Sequence, residues 1–303
     1  MTPMKTSTPS SRTPGQETKY RRLVEDAAKK AVYLVLGKKE FDRGAFQRLL
    51  MRGNELCHSI TETIVDRTLE LSFFDQYVDE EVESMWTYPK EYNGPKPIEE
   101  QIKALATILA IDPAKAMVYV KALPELPAGA EGWFAIMTPP ADPEKYCSAI
   151  QILHRKIAAS HQFKNYCEGK IDTAYLKVHP CTAEKMRVIA EQQPGGILII
   201  AAQLGLRHRG RSSRRAREMF TVNEYGLGSV AGCSIVLTHP ERFVYYEELD
   251  MDLPGDEFNN PVAEAQFDHT PCLSYSDGKV NFGTGYVGDP LHYYGSASGF
   301  VPQ

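Results

Sequence analysis

The segment GILIIAAQ at residues 196–203 constrains the fold of this chain more than any other stretch. It is a continuous apolar run, rich in isoleucine and bounded by glycine, which is typical of a strand buried on both faces. A chain of 303 residues is long enough to bury such a strand in a core without disulfides. The length favours two domains, with one or three as alternatives.

The first part of the chain has the periodicity of helices. Apolar residues recur at spacings of three and four from Leu23 to Val35, and a second helix is predicted over 40–72. Helices are also expected at 98–110 and after Asp112-Pro113, where a capping aspartate precedes a proline. We therefore predict a helical region over 18–125. Residues 1–17, rich in Ser, Thr and Pro, predict a disordered basic tail.

Residues 130–303 mix short strand and helix patterns. GWFAIM at 132–137 predicts a strand, and further strands are expected at 234–238 and 243–249. At 273–282, Asp277-Gly278 separates the alternating runs LSYS and KVNF, which indicates a type I′ hairpin. The predicted class is α+β: a helical N-terminal region followed by an α+β domain with a mixed sheet and a C-terminal β-hairpin.

Charge is distributed unevenly along the chain. The net charge is only −5, but residues 244–303 hold ten acidic residues against one lysine. Residues 75–100 hold eight acidic residues against two lysines, and residues 203–217 hold six arginines and no acidic residue. Such asymmetry indicates either a binding face or the pairing of acidic and basic surfaces within one molecule.

The arginine-rich segment at 206–218, LRHRGRSSRRARE, is predicted to connect the buried strand to a short helix over 213–220, with Ser212 or Ser213 as its N-cap. A helix N-terminus presents free N–H groups and favours anions, and guanidinium groups bind phosphate bidentately. The candidate residues for binding nucleic acid or phosphate are Arg207, Arg209, Arg211, Ser212, Ser213, Arg214, Arg215 and Arg217.

The acidic segment DMDLPGDE at 250–257 is a second candidate site. Clustered carboxylates can hold Mg²⁺ or Ca²⁺, which makes Asp250, Asp252, Asp256 and Glu257 candidate metal ligands. Their spacing does not match an EF-hand, and Pro254-Gly255 fits an exposed turn equally well. If these acids converge with the arginines, the protein is a metal-dependent enzyme for a phosphorylated substrate, with Mg²⁺ as its cofactor. Otherwise the sequence predicts no cofactor.

Three functions remain open, because no P-loop, GxSxG or HExxH motif fixes a reaction and the sequence does not decide whether the protein is an enzyme. The first is nucleic-acid or phosphate binding through the arginines, with the N-terminal helices engaging a protein partner or a second copy. The second is the metal-dependent enzyme. The third is a structural or interaction protein whose arginines pair with the acidic tail at 244–303.

The location of the protein is predicted from two absences in the sequence. The N-terminal segment MTPMKTSTPSSRTPGQ lacks the apolar core of a secretory signal. The longest apolar runs are shorter than the ~20 residues that a membrane span needs. We therefore expect a cytoplasmic protein without a membrane partner, whose six cysteines are reduced.

The run LRHRGRSSRRARE, together with NEYGLGS, LTHPERF, PGDEF and the terminal YGSASGFVPQ, resembles a group of bacterial proteins without an established activity. The resemblance covers roughly residues 130–303. It implies that the C-terminal domain is a discrete unit of bacterial type, and it assigns no catalytic residue.

Overall fold

The structure is a computed structural model that describes residues 14–38, 42–72, 76–246, 248–263 and 265–302. It divides the chain into an N-terminal unit, residues 1–74, and a C-terminal unit, residues 75–303. This division lies well before the predicted boundary at 125–130. The difference arises because helix α4 (Ile98–Leu109) packs on strands of the C-terminal unit, and helix α5 (Ala114–Val120) packs on α4 and one of those strands.

The N-terminal unit contains three helices: α1 (Pro14–Leu36), α2 (Arg43–Met51) and α3 (Gly53–Ser72). The helix predicted over 40–72 is thus divided at Arg52, where the α-helical pattern stops before Gly53; residues 39–41 lie outside the described residues. The side chain of Asp42 caps α2 by accepting a hydrogen bond from the Ala45 N–H at 2.7 Å. Of the predicted disordered tail, residues 1–13 lie outside the described residues, and α1 already includes 14–17.

A four-stranded sheet contains the buried strand predicted at 196–203. Its order is β1 (Gly132–Met137), β4 (Ile197–Gln203), β11 (Ser298–Phe300) and β5 (Glu224–Gly226), and every neighbouring pair is antiparallel. Strand β4 is buried along its whole length, as predicted. In sheets of parallel strands, ligands bind beyond the carboxyl ends of the strands. Because β4 pairs only with antiparallel neighbours, this rule does not indicate a ligand site in the segment that follows β4.

A seven-stranded mixed sheet forms the rest of the β structure, which confirms the predicted α+β class. It contains β2 (Phe163–Asn165), β3 (Leu176–Val178), β6 (Asp250–Asp252), β7 (Asp256–Phe258), β8 (His269–Ser276), β9 (Lys279–Tyr286) and β10 (Tyr294–Ser296). The pairs β10–β6 and β2–β9 are parallel and the others antiparallel. The predicted hairpin is β8–β9, and Asp277 (φ 52°) and Gly278 (φ 73°) have the positive φ angles of a type I′ turn.

Helix α9 (Ser229–Thr238) lies at the centre of the C-terminal unit, and all ten of its residues are buried. It packs on α6 (Pro143–Ser160), α4 and β1. The strand predicted at 234–238 is therefore wrong: the run SIVLT is apolar on every side, which suits a fully buried helix as well as a strand. The strand predicted at 243–249 is also wrong, since the described residues of that stretch form neither strand nor helix.

Two further helices complete the unit: α7 (Pro180–Gln192) and α8 (Ser213–Met219). Helix α8 agrees with the helix predicted over 213–220. Among the described residues, no helix is both long and apolar enough to cross a membrane.

Candidate functional site

The arginine-rich segment follows β4 as a 3-10 turn, Leu206–His208, and then α8. Ser212 is the N-cap of α8, because its Oγ accepts a hydrogen bond from the Arg215 N–H at 3.1 Å. The backbone of residues 80–84 lies directly against this segment. The Val82 N–H donates to the Gly210 carbonyl at 2.8 Å, and a Cβ at Gly210 would lie 2.2 Å from the Val82 oxygen. Glycine at 210 is therefore required for this close approach.

Arg214 is held by Glu80. Its Nε donates to both Glu80 oxygens at 2.8 Å, and its Nη2 forms a second bond to Oε1. The guanidinium also lies over the ring of Tyr77, 4.5 Å from the centroid. The Ser212 hydroxyl donates to Glu80 at 2.6 Å. Glu80 is buried, so this carboxylate is paired inside the protein and has little access to solvent.

Glu81 forms ion pairs with two further arginines. The Nε of Arg215 donates to it at 2.5 Å, and the Nε of Arg211 lies 3.4 Å away. Arg215, which is almost fully buried, also donates to Glu218 at 2.8 Å. Glu218 in turn accepts from the backbone N–H of Gln76 at 2.7 Å. We call Arg211, Arg214, Arg215, Glu80, Glu81 and Glu218 the arginine cluster; it attaches the start of the C-terminal unit to α8.

The contacts with the arginines lower the pKa values of Glu80 and Glu81. Burial on its own raises the pKa of Glu80, but the hydrogen bonds from Arg214 and Ser212 outweigh it, and the pKa falls below its usual value. Burial likewise raises the pKa of Glu81, and its bonds with Arg215 and Arg211 again produce a net decrease. Both carboxylates are therefore stabilised as anions by the cluster.

A second network buries Glu224 of β5. His208 Nε2 lies 2.8 Å from its Oε1, the Ser298 hydroxyl donates to the same oxygen at 2.6 Å, and the Arg207 Nε lies 3.3 Å away. Burial lowers the pKa of His208 despite this carboxylate, and the same contacts reduce the pKa of Glu224 against the opposing effect of its own burial. The network is buried, since none of His208, Glu224 and Ser298 is more than 1% exposed. Its hydrogen bonds therefore lie in the interior of the C-terminal unit.

The two remaining arginines bind backbone carbonyls. Arg217 donates to the carbonyl oxygens of Pro254 at 2.9 Å and Asp256 at 3.1 Å. Burial reduces the pKa of Arg217, and the neighbouring carboxylates of Glu257 and Asp256 oppose that decrease. Arg209 is exposed and donates to the Trp86 carbonyl at 3.2 Å.

All six predicted arginines therefore have partners inside the chain. The carboxylate partners of these arginines are Glu80, Glu81, Glu218 and Glu224. The interpretation as a structural or interaction protein had instead placed these partners in the acidic tail at 244–303. The eight acidic residues at 75–100 were a sequence signal for Glu80 and Glu81. No sequence pattern pointed to Glu224, although it contacts His208 and Arg207 directly. Ser213, another predicted contact, is buried.

The predicted metal ligands do not converge. Asp250 accepts from the Tyr275 N–H at 3.2 Å, Asp256 is bonded by the Tyr146 hydroxyl and the Ser229 N–H, and Glu257 pairs with Lys177 at 3.0 Å. Among the described residues, no group of three or more His, Cys, Asp or Glu side chains is placed to hold a metal ion. Strands β6 and β7 lie on opposite sides of β8 and direct these acids to separate partners, so the structure does not bring the predicted metal ligands together.

Burial raises the pKa of three of these carboxyls: to about 8 for Asp250, about 7 for Asp252 and about 6 for Asp256. Asp252 is buried, and Arg217 partly opposes the increase. These groups therefore couple the stability of the fold to pH near neutrality.

Comparison of the chain with protein-family models, with curated proteins and with solved structures finds no match. The resemblance to a bacterial group consequently stays an expectation, and the function has to be argued from the residues themselves.

Proposed function

We propose that this protein is a non-catalytic interaction protein that associates with a second copy of itself through the helices of the N-terminal unit. The observation that carries the proposal is the exposure of that unit. Among its residues whose side chains are described, none is buried. Leu23 is 70% exposed, Val32 58% and Ile60 46%. Helices of this length gain most of their stability from packing an apolar face against another surface. The exposed apolar side chains therefore favour association with a partner.

A second copy is the partner that the chain itself supplies. The Tyr20 hydroxyl lies 2.8 Å from the Thr68 hydroxyl, so the start of α1 contacts the end of α3. The α1 and α3 helices of two copies together supply the four helices of a bundle with a shared apolar core. The charges match as well: α1 has five basic and three acidic residues, whereas α3 has one basic and four acidic residues. Each α1 would therefore face an oppositely charged α3.

The ion pairs within the arginine-rich segment favour an interaction protein over a protein that binds nucleic acid. Four of its six guanidiniums pair with carboxylates of the same chain, and a fifth, that of Arg217, donates to backbone carbonyl oxygens. Nucleic-acid affinity depends on basic side chains that release counterions from phosphates, and a paired arginine contributes little to that release. Exposed Arg209 and part of Arg207 are what remains for such a contact.

Sedimentation of the full chain tests the proposal. Wild type should sediment as a dimer of the 33.9 kDa chain, whereas Ile60→Glu should sediment as a monomer with less helical circular dichroism, because a charge in the bundle core removes the interface. Val262→Glu is the matched control, since Val262 is exposed in the C-terminal unit and should leave the dimer intact. A wild type that stays monomeric up to about 100 μM, a weak affinity for a homodimer, would refute self-association.

A further inference from the structure

The C-terminal unit contains a cavity of about 760 Å³ between the start of α6, one face of α7 and the strands β3 and β5. This volume lies within the range of small-molecule sites in proteins. Its walls are largely apolar and include Pro139, Pro143, Val178 and Met186. Neither the arginine cluster nor the N-terminal helices contribute to it, so it is separate from both.

The charged residues at this cavity neutralise one another. Lys177 pairs with Glu257 at 3.0 Å and lies over the Phe267 ring, 4.1 Å from its centroid. Arg187 pairs with Glu184 at 2.8 Å and with Glu191 at 2.5 Å. An occupant with a net charge would find no unpaired counter-charge among these groups, so the cavity favours an uncharged molecule.

Three hydroxyl groups belong to lining residues, and two are already bonded. The Tyr146 hydroxyl donates to Asp256 at 2.8 Å, and that of Thr182 donates to the Gly226 carbonyl at 3.0 Å. The Tyr225 hydroxyl is buried and has no hydrogen-bond partner among the described residues. The Tyr225 ring lies across Gly299 of β11, where a Cβ would come within 2.5 Å of the Tyr225 oxygen. This hydroxyl has almost no accessible surface, so an occupant of the cavity does not reach it.

We propose that this cavity binds an uncharged, mainly apolar aromatic molecule. Proline and tyrosine side chains offer flat apolar surfaces against which an aromatic ring packs well. The site is independent of the proposed self-association, because its lining residues all belong to the C-terminal unit.

Titration of the full chain with phenylnaphthylamine, an uncharged aromatic amine, tests the site by calorimetry. Its sulfonated counterpart, anilinonaphthalene sulfonate, tests the charge preference and should bind at least about tenfold more weakly. Ala183→Trp, in the exposed wall of α7, should abolish binding by filling the cavity. Ala159→Trp is the control, because Ala159 is exposed on α6 outside the cavity and this variant should bind as wild type does.

Equal binding of the amine to wild type and Ala183→Trp would overturn the site, and tighter binding of the sulfonate would overturn its neutral character. Ile60→Glu should bind the dye as wild type does; loss of binding in that variant would place the dye on the N-terminal helices instead.

Discussion

The two units of this protein use similar apolar residues in opposite ways. In the C-terminal unit, α9 is buried at every residue and β4 along its whole length. In the N-terminal unit, long helices with comparable apolar residues bury no side chain among those described. The C-terminal unit therefore completes its core within one chain, whereas the N-terminal unit leaves many apolar side chains exposed. The contrast shows that helical periodicity predicts where a face lies and not what covers it.

The largest effect expected from this contrast is on core packing. Leu153→Ala, at a position with no exposure on α6, should lower the free energy of unfolding of the C-terminal unit by about 2–5 kcal/mol. Leu34→Ala, at a position 58% exposed on α1, should leave that unfolding transition unchanged. Urea denaturation followed by tyrosine and tryptophan fluorescence compares the two. Equal losses of unfolding free energy in the two variants would contradict this difference in packing between the two units.

Breaking the arginine cluster should have the next largest effect. Glu80→Gln removes the carboxylate of a buried, charge-assisted pair and should destabilise the C-terminal unit by about 1.5–3 kcal/mol. Because the folded pKa of Glu80 is lowered, its contribution is present above the unfolded value of about 4.3 and is lost as the pH falls through the folded pKa.

The control for Glu80→Gln is Glu83→Gln, on an exposed side chain of the same segment, which should unfold like wild type. Thermal unfolding near neutral pH and again in acid measures both variants. A cluster without structural importance would leave the two variants indistinguishable.

Asp252 should produce a smaller effect of the opposite sign. Its folded pKa is raised to about 7, so the carboxyl stabilises the fold when protonated, below about pH 4, and this contribution disappears as the pH rises through about 7. Asp252→Asn should therefore be more stable than wild type by on the order of 1 kcal/mol above about pH 7, and similar to it below about pH 4. Urea midpoints across this range measure the difference; a constant offset at every pH would contradict it.

The smallest effect is expected at Arg209. This exposed side chain makes one hydrogen bond to a backbone carbonyl, so Arg209→Ala should change stability by less than about 0.5 kcal/mol. Fluorescence anisotropy with labelled DNA and RNA across salt concentrations should find the same weak binding in wild type and variant. A clear loss of affinity in a variant of normal stability would instead restore the nucleic-acid interpretation.

The arginine segment illustrates how far sequence reasoning extends. Its local structure was predictable, because a serine cap and a run of helix formers follow an apolar strand, and Ser212 does cap α8. Its partners were not, since Glu80 lies 134 residues before Arg214 and no local pattern joins them. The acidic candidates show the same limit: Asp250 and Asp256 are close in sequence, but their strands direct them to Tyr275 and to Ser229.

Short-range signals were enough to predict four features: the buried strand β4, the Asp-Gly hairpin β8–β9, the capped helices, and an α+β class with helices first. Three features follow from contacts between distant segments: the N-terminal unit ends near residue 74, SIVLT belongs to a buried helix, and the arginines pair within the chain. The physical reason is that caps, turns and periodicity act over a few residues, whereas burial and ion pairing depend on contacts between segments far apart in sequence.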